Sequence, residues 1–328
     1  MALSSTPKAF EFIILSCRIS RCFPIHIHHL GFTWQSLCHA WLNWILPIED
    51  WFFSGYCGLE VGCSCPVTAD YLARCRQLID RVSEQQSQIR TAADWFAQSI
   101  LAGRMVHVFG SGHSRIMVEE MWPRYGSFPG FNPIVELSLT FHHPVVGANG
   151  QRQAMHLENV SGLAERILRN FALSKRDTAL IISSSGCNIV PIEMAELFQQ
   201  RGLRVVAIIS MAHGNASSSR RADGKKLKDF ADLILDTGAP VGDAMVRVPG
   251  LEDTPVSPGS TIGGCLLINA LKAEIAARLT AAGQPPKVLT ASALVGPDRS
   301  AQLFESAYDE HAHRLAKLYE RAGTGVID

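Results

Sequence analysis

The chain has 328 residues, of which 47% are hydrophobic and 18% are charged, a composition typical of a globular protein with a sizeable core and one or two domains. Thirty basic side chains balance thirty acidic ones, so the overall charge does not attract the chain to nucleic acid or to an anionic membrane. No apolar run approaches the ~20 residues that a membrane-spanning helix needs. We therefore expect no nucleic-acid partner and no membrane partner.

Residues 1–66 differ in composition from the rest of the chain. They contain four of the six tryptophans, six of the nine cysteines and the cluster IHIHH, without a sustained helical or strand period. One interpretation is a metal site, although the cysteines lack the paired spacing of zinc modules. Its ligands would be Cys57, Cys63, Cys65, His26, His28 and His29. The other interpretation is an atypical extension that is disordered or precedes the true start of the protein, with the folded domain spanning residues 67–328.

Only Cys75, Cys187 and Cys265 lie in the remainder of the chain. Three scattered thiols do not form a disulfide framework. Disulfides accumulate in secreted domains and are rare in reducing compartments. We therefore expect a cytoplasmic protein.

Apolar residues recur at helical spacing from residue 68 to residue 100, which predicts one long helix or two helices with a break. After this region, short apolar runs alternate with amphipathic stretches. The strands are predicted at residues 105–109, 132–137, 178–183, 204–210 and 231–238. The helices are predicted at residues 115–122, 153–173, 191–201, 261–279 and 299–321. The alternation predicts an α/β fold, a three-layer α/β/α sandwich with a five-stranded parallel sheet, preceded by a long helix.

Three consecutive serines, Ser183, Ser184 and Ser185, follow the third predicted strand and precede a helix. In a doubly wound sheet, ligands bind beyond the carboxyl ends of the strands. Hydroxyls, a glycine and the positive end of a helix dipole favour an anion such as phosphate, although the lysine of a nucleotide P-loop is absent. The alternative is that the serines only form a turn and cap the helix. Because one cap needs one hydroxyl, three in succession favour phosphate.

The loop after the first strand reads GSGHSR and offers a second candidate site. Gly110 and Gly112 could open the dinucleotide motif G-x-G-x-x-G, and Glu136 stands where its ribose-binding acid is expected. Arg115 replaces the third glycine, however, so the motif is incomplete. The surroundings of Ser114 also lack the final glycine of the hydrolase motif G-x-S-x-G.

Together, the stretches FGSGHSR, ISSSGCNIVPIEMA, RVVAIIS and ADLILDTG resemble the sugar isomerase (SIS) domain over roughly residues 68–322. The likeness is greatest to a bacterial branch of phosphosugar-binding proteins related to phosphoheptose isomerase. It implies a flavodoxin-like sandwich that forms a homodimer or homotetramer, with a sugar phosphate held by the serine loop at a subunit interface. By position, the phosphate would be contacted by Ser183, Ser185 and Asn188, with Ser111 and Ser114 contributing to the same pocket.

Two residues depart from the pattern that the resemblance implies. Cys187 stands where an arginine is expected, and Ile189 stands where a proline is expected. Loss of the arginine weakens charge neutralisation of the phosphate.

Aldose-ketose isomerisation needs a base that moves a proton between C1 and C2 and an acid that serves the carbonyl oxygen. The resemblance places a catalytic glutamate on the helix before the third strand, which makes Glu158 the candidate base. Side chains two positions apart on a helix point about 200° apart, so His156 and Glu158 cannot both face one pocket unless they lie near an irregular helix end. The alternative for Glu158 is an exposed charge on an amphipathic helix.

For the acid, His113 lies in the first glycine loop, with His142 and His143 as rivals. Glu274 is a further catalytic candidate by resemblance, with an ordinary surface position as its alternative. His107 alternates within a strand, which indicates a packed core residue. No ligand spacing supports a zinc site among these histidines, and we expect no metal and no cofactor.

The sequence thus predicts a sugar-phosphate-binding protein that acts as an isomerase. A non-catalytic sensor of a sugar phosphate and a lyase or etherase acting on an amino-sugar phosphate are the alternatives, because the same pocket would serve all three.

Overall fold

The computed structural model describes residues 67–140, 150–251 and 253–320. All of them lie in one unit of the chain, Ser64–Asp328. The predictions for residues 1–66, including their candidate metal ligands, and those for His142 and His143 fall outside the described residues. The domain boundary at residue 67 stays a prediction.

Five parallel strands form the main sheet, in the order β2-β1-β3-β4-β5. They are β1 (Val106–Gly110), β2 (Phe131–Ile134), β3 (Thr178–Ile182), β4 (Arg204–Ile209) and β5 (Leu233–Asp236). A separate antiparallel pair consists of β6 (Ala244–Val246) and β7 (Val256–Pro258). The five-stranded parallel sheet and its flavodoxin-like order confirm the predicted fold class.

Helices cover both faces of this sheet. In chain order they are α1 (Val67–Ser83), α2 (Gln86–Leu101), α3 (Arg115–Met121), α4 (Leu137–Thr140), α5 (Gly150–Leu157), α6 (Leu163–Leu168), α7 (Ile189–Gln200), α8 (Met211–Ala216), α9 (Ser260–Ala281), α10 (Ser292–Val295) and α11 (Pro297–Tyr319). None of the helices in the described ranges is both long and apolar enough to span a membrane.

The two faces of the sheet bury two separate cores because side chains alternate along each strand. On one face, Val106 and Val108 of β1 pack with the apolar sides of α2, α3 and α9. On the other face, Phe109 packs with α6 and α7, including Phe198. His107 is fully buried and stacks on the ring of Phe198 at 5.6 Å between centroids, which confirms the predicted core position.

Two predicted helices are each divided in the structure. The long N-terminal helix breaks between Ser83 and Gln86, where the Gln85 side chain bonds both backbone groups of Asp236 on the edge strand β5, at 2.8 and 2.7 Å. The helix predicted at 153–173 ends at Leu157 and resumes at Leu163. Gly162, with a φ of 82°, lies at the start of the second part.

A glycine lets the long helix α9 approach the sheet. A Cβ on Gly263 would lie 2.0 Å from the carbonyl oxygen of Thr237, at the end of β5. Any larger residue would push the start of α9 away from the carboxyl edge of the sheet. Close contact at this position keeps the N-terminus of α9 near the loops that follow the strands.

Candidate functional site

A cavity of about 430 Å³ opens where the loops after β1 and β3 meet. The winding of the sheet reverses here, because β2 lies on one side of β1 and β3 lies on the other. Gly110 at the end of β1 pairs with Ile182 at the end of β3, so the two loops start side by side. All the predicted site residues except Glu274 line this cavity. They are Ser111, His113, Ser114, Glu158, Ser183, Ser184, Ser185 and Asn188.

The loop after β1 folds back tightly before α3 begins. The Ser114 N–H donates to the Ser111 carbonyl oxygen at 3.0 Å and closes a 3-10 turn over Gly112–Ser114. A Cβ on Gly110 would lie 2.7 Å from the Ser114 carbonyl oxygen, so the turn requires glycine there. The turn places the exposed His113 at the cavity wall.

In the serine loop, two of the three hydroxyls support the turn and the third does not. Ser183 Oγ accepts from the Gly186 N–H, and Ser185 Oγ accepts from the Cys187 N–H, both at 3.2 Å. Ser184 Oγ is buried and has no hydrogen-bond partner among the described residues. The loop is therefore a serine-built turn in which the Ser184 hydroxyl has no partner among the described residues, and phosphate binding stays a prediction.

The start of α7 offers few amides to a ligand. The Val190 N–H donates to the Glu158 carbonyl oxygen at 2.9 Å, and Pro191 has no N–H. The Asn188 side chain does not cap the helix. An anion at this point would be bound mainly by serine hydroxyls, each of which keeps a proton to donate, and by the helix dipole.

Glu158 connects the two loops. Ser111 Oγ donates to Glu158 Oε2 at 2.6 Å, and Asn188 Nδ2 donates to Oε1 at 2.7 Å. Glu158 reaches the cavity because α5 ends one residue before it. His156, still within the helix, is exposed and does not line the cavity. The irregular helix end thus separates the two side chains, and Ser111 and Asn188 serve to hold Glu158.

Burial raises the pKa of the Glu158 carboxyl, and the hydrogen bonds from Ser111 and Asn188 oppose that rise. The net direction is upward. A carboxylate with a raised pKa is a stronger base than an exposed glutamate, which suits proton abstraction.

The structure does not bring Glu274 to this cavity. Glu274 lies on α9, forms an ion pair with Arg278 one turn along the helix, and has Oε1 3.7 Å from Arg90 Nε. Arg278 also pairs with Asp94 on α2. These contacts match the surface alternative, and a catalytic role for Glu274 stays an untested prediction.

Of the polar residues in the cavity wall that the sequence analysis missed, two have side chains that can ionise, and the first is His213. His213 Nδ1 accepts from the Gly242 N–H at 3.1 Å, so in this arrangement the ring carries its proton at Nε2. The residue comes four positions after the end of β4. The loops after β1 and β3 lie at the same edge of the sheet, so the position of His213 after β4 could have identified it as a candidate site residue.

The second missed residue is Asp243, which caps α9. Its Oδ1 accepts from the N–H groups of Gly259 at 3.1 Å and Ser260 at 2.7 Å, and its Oδ2 accepts from Ser260 Oγ at 2.8 Å. Its φ of 70° lies in the left-handed region, which few residues other than glycine, asparagine and aspartate adopt readily. A single aspartate in a loop rich in proline and glycine carries no local signal for this role.

No group of three or more histidine, cysteine, aspartate or glutamate side chains is placed to hold a metal ion within the ranges that the structure describes. The buried Cys187 contacts the Ser185 carbonyl oxygen, with Sγ at 3.3 Å, and fills space beneath the serine loop.

Comparison with known proteins agrees with this architecture. Residues 70–210 match the family model described as the SIS domain. A UPF0309 protein of Brucella canis is 33% identical over 244 residues, which cover 74% of this chain and 96% of that protein.

Two solved structures are similar to this chain at low identity and low TM-score. The phosphoheptose isomerase of Neisseria gonorrhoeae is 16% identical with a TM-score of 0.40, over 63% of this chain and 96% of that chain. The sugar isomerase domain of the RpiR transcription factor of Sphaerobacter thermophilus is 12% identical with a TM-score of 0.38, over 74% and 96% of the two chains. Since the Brucella protein aligns over nearly its whole length and the family model spans the loops after β1 and β3, the chain belongs to the UPF0309 family and contains an SIS domain.

Proposed function

We propose that the chain binds a sugar phosphate in this cavity and interconverts its aldose and ketose forms. The observation that carries the proposal is that a serine-built loop with one unused buried hydroxyl lies beside the Glu158 carboxylate in one cavity. Membership in the SIS family, whose name stands for sugar isomerase, supports the same ligand class. Assembly into a homodimer or homotetramer stays a prediction from the resemblance.

In this proposal the serine loop binds the phosphate. Ser184 Oγ donates to it without giving up an internal bond, and the hydroxyls of Ser183 and Ser185 donate while they still accept from the loop amides. The described residues that line the cavity include no lysine and no arginine. We therefore expect an affinity that depends on hydroxyl hydrogen bonds and on the dipole of α7.

Glu158 acts as the base of the isomerisation. It removes the proton from the carbon next to the carbonyl group, and the resulting enediol takes the proton back at the neighbouring carbon. Ser111 and Asn188 keep both carboxylate oxygens in place during this transfer. His113 is the proposed acid, which opens the sugar ring and protonates the carbonyl oxygen.

The first experiment is a thermal-shift screen of the protein. The ligands are C4 to C7 sugar phosphates, amino-sugar phosphates, the same sugars without phosphate, and NAD(H). A ligand at a hundred times its dissociation constant stabilises the folded state by about 2.7 kcal/mol. Shifts confined to phosphorylated sugars support the proposal. A shift with NAD(H) alone contradicts it, and a shift without turnover favours the sensor.

Ser184→Ala is the variant that tests the phosphate contact. It should weaken sugar-phosphate binding about tenfold or more, since a hydrogen bond to a charged group contributes about 1.5–3 kcal/mol. The free protein should unfold as wild type does, because Ser184 Oγ has no partner among the described residues. Ser87→Ala, an exposed serine of α2, is the matched control. Equal ligand affinity in wild type and Ser184→Ala would refute the contact.

The double variant Ser183→Ala with Ser185→Ala should abolish stabilisation by sugar phosphates. It is a less clean test, because it also removes the acceptors of two loop amides. Each amide left without a partner costs about 1–3 kcal/mol if it stays buried. We therefore expect this variant to unfold at a lower temperature than Ser184→Ala.

A further inference from the structure

We propose that Asp243 makes the cavity selective for sugar monophosphates whose remaining groups are uncharged or cationic, and that it excludes sugars with a second anionic group. The inference rests on the proposed function, since it takes a sugar phosphate as the ligand. It adds the substrate class and names the residue that selects it.

Two helices begin at the cavity. The serine loop leads into α7, and Ser260 and Thr261 at the start of α9 also line the wall. The N-terminus of each helix is positively polarised and favours a negative group. A ligand with two anionic ends would therefore find two suitable positions if both helix starts were open.

The two helix starts differ in whether a charged side chain occupies them. At α7, no side chain caps the helix, and Asn188 bonds Glu158 instead. At α9, the Asp243 carboxylate already accepts from the Gly259 and Ser260 amides and from the Ser260 hydroxyl. The protein thus places its own anion where a second ligand anion would bind.

The other charged groups of the cavity wall also disfavour a second anion. Glu158 and Asp243 both line the cavity, and no lysine or arginine does so in the part of the chain that the structure describes. His213 accepts at Nδ1 from Gly242, so this ring adds a neutral Nε2–H donor to the wall. A sugar hydroxyl or an ammonium group is compatible with such surroundings, whereas a second phosphate or a carboxylate would repel Asp243.

The alternative is that Asp243 only stabilises α9 as a helix cap. Its backbone conformation makes the two roles separable by mutation. A φ of 70° suits glycine and is tolerated by asparagine, so Asp243→Gly and Asp243→Asn should both fold. Asp243→Asn removes the charge and keeps an acceptor oxygen. Asp243→Gly in addition frees the Ser260 amide and hydroxyl, whereas the Gly259 amide keeps the backbone carbonyl oxygen of residue 243 as its acceptor at 3.1 Å.

The experiment measures dissociation constants for two matched ligand pairs by calorimetry or thermal shift. The pairs are fructose 6-phosphate with fructose 1,6-bisphosphate, and sedoheptulose 7-phosphate with sedoheptulose 1,7-bisphosphate; glucosamine 6-phosphate supplies the cationic case. Wild type should bind each monophosphate about tenfold or more tightly than its bisphosphate, and glucosamine 6-phosphate at least as tightly as fructose 6-phosphate. Asp243→Gly should reduce this preference about tenfold, and Asp243→Asn should reduce it less. Asp309→Asn, an exposed acid of α11, controls for the change in net charge.

The outcomes separate this inference from the proposed function. Equal binding of the two members of a pair by wild type overturns the inference and leaves sugar-phosphate binding intact. An unchanged preference in folded Asp243→Gly and Asp243→Asn shows that Asp243 is a cap only. Absence of binding for all five ligands would overturn the proposed function, and the inference with it.

Discussion

Glu158→Gln removes the proposed base while it preserves the structure around it. The glutamine carbonyl oxygen can accept from Asn188 Nδ2 in place of Oε1, and the glutamine amide can donate to Ser111 Oγ in place of accepting from it. Every polar group of the original arrangement then keeps a partner. The amide cannot take up a proton, so the variant isolates the chemistry from the packing.

The expected changes in stability and in rate differ greatly in size. Glu158→Gln should alter the free energy of unfolding by less than about 1 kcal/mol, because hydrogen bonds are exchanged and not lost. Turnover should fall about 10²- to 10⁴-fold, the range that general base catalysis contributes. Glu158→Ala, by contrast, leaves Ser111 and Asn188 without their acceptor and should cost about 1–3 kcal/mol of stability in addition.

The assay follows aldose-ketose conversion of whichever sugar phosphate gives the largest thermal shift, with urea unfolding of both variants in parallel. The dissociation constant of Glu158→Gln for that sugar should stay close to wild type. Undiminished turnover in Glu158→Gln would refute the role of Glu158 as the base. A large loss of stability in Glu158→Gln would instead show that its carboxylate is required for the fold.

Two further predictions concern His213 and Asp177. His213→Asn keeps an acceptor for the Gly242 N–H and loses the Nε2–H donor, whereas His213→Gln keeps the donor and loses the acceptor. If the Nε2–H contacts the ligand, sugar-phosphate affinity or turnover should fall about tenfold more in His213→Asn than in His213→Gln. Equal losses in the two variants would point to a structural role. Burial alone would raise the pKa of Asp177, but neighbouring His107 and Arg104 outweigh it and lower the pKa to about 2 from 3.8. Because the pKa of Asp177 is lower in the folded state than in the unfolded state, its ionisation stabilises the fold by about 2 kcal/mol at pH values above the unfolded-state pKa. This contribution is lost as the pH falls from about 4 through about 2. Asp177→Asn should be less stable than wild type at pH 7, since Arg104 loses its two-point partner, and should lose less further stability between pH 5 and pH 2; a wild-type pH dependence of urea unfolding in the variant would contradict this.

Local patterns were sufficient to predict most of the fold. The central strands β1, β3 and β4 are buried along nearly their whole length, and strands covered on both faces require largely apolar residues. Each predicted strand of the main sheet overlaps an observed one by at least three residues. The sequence also predicted that the serine loop and the Gly110–Ser114 turn belong to one site, because hydroxyls and glycines that follow parallel strands are typical of ligand-binding loops. The helical period of 3.6 residues does not show where a helix breaks. The break at Gln85 depends on hydrogen bonds to the backbone of Asp236, 151 residues away along the chain.

By itself, the sequence determined the five strands of the main sheet, the approximate course of the longer helices, and which two loops meet at the carboxyl edge of the sheet, because these follow from local periodicity and from the rules of parallel β-α units. Only the tertiary structure decided that Glu158 is held between Ser111 and Asn188, that His213 and Asp243 join the same wall, and that Glu274 lies outside the cavity with Oε1 near Arg90 of α2. Glu158 and Glu274 look alike as charges on amphipathic stretches. Glu158 is enclosed by Ser111 and Asn188, which lie 47 and 30 residues away along the chain, so its surroundings have no signature within a local window of residues. Glu274 pairs with Arg278 one turn along its own helix, a contact that the local sequence does indicate.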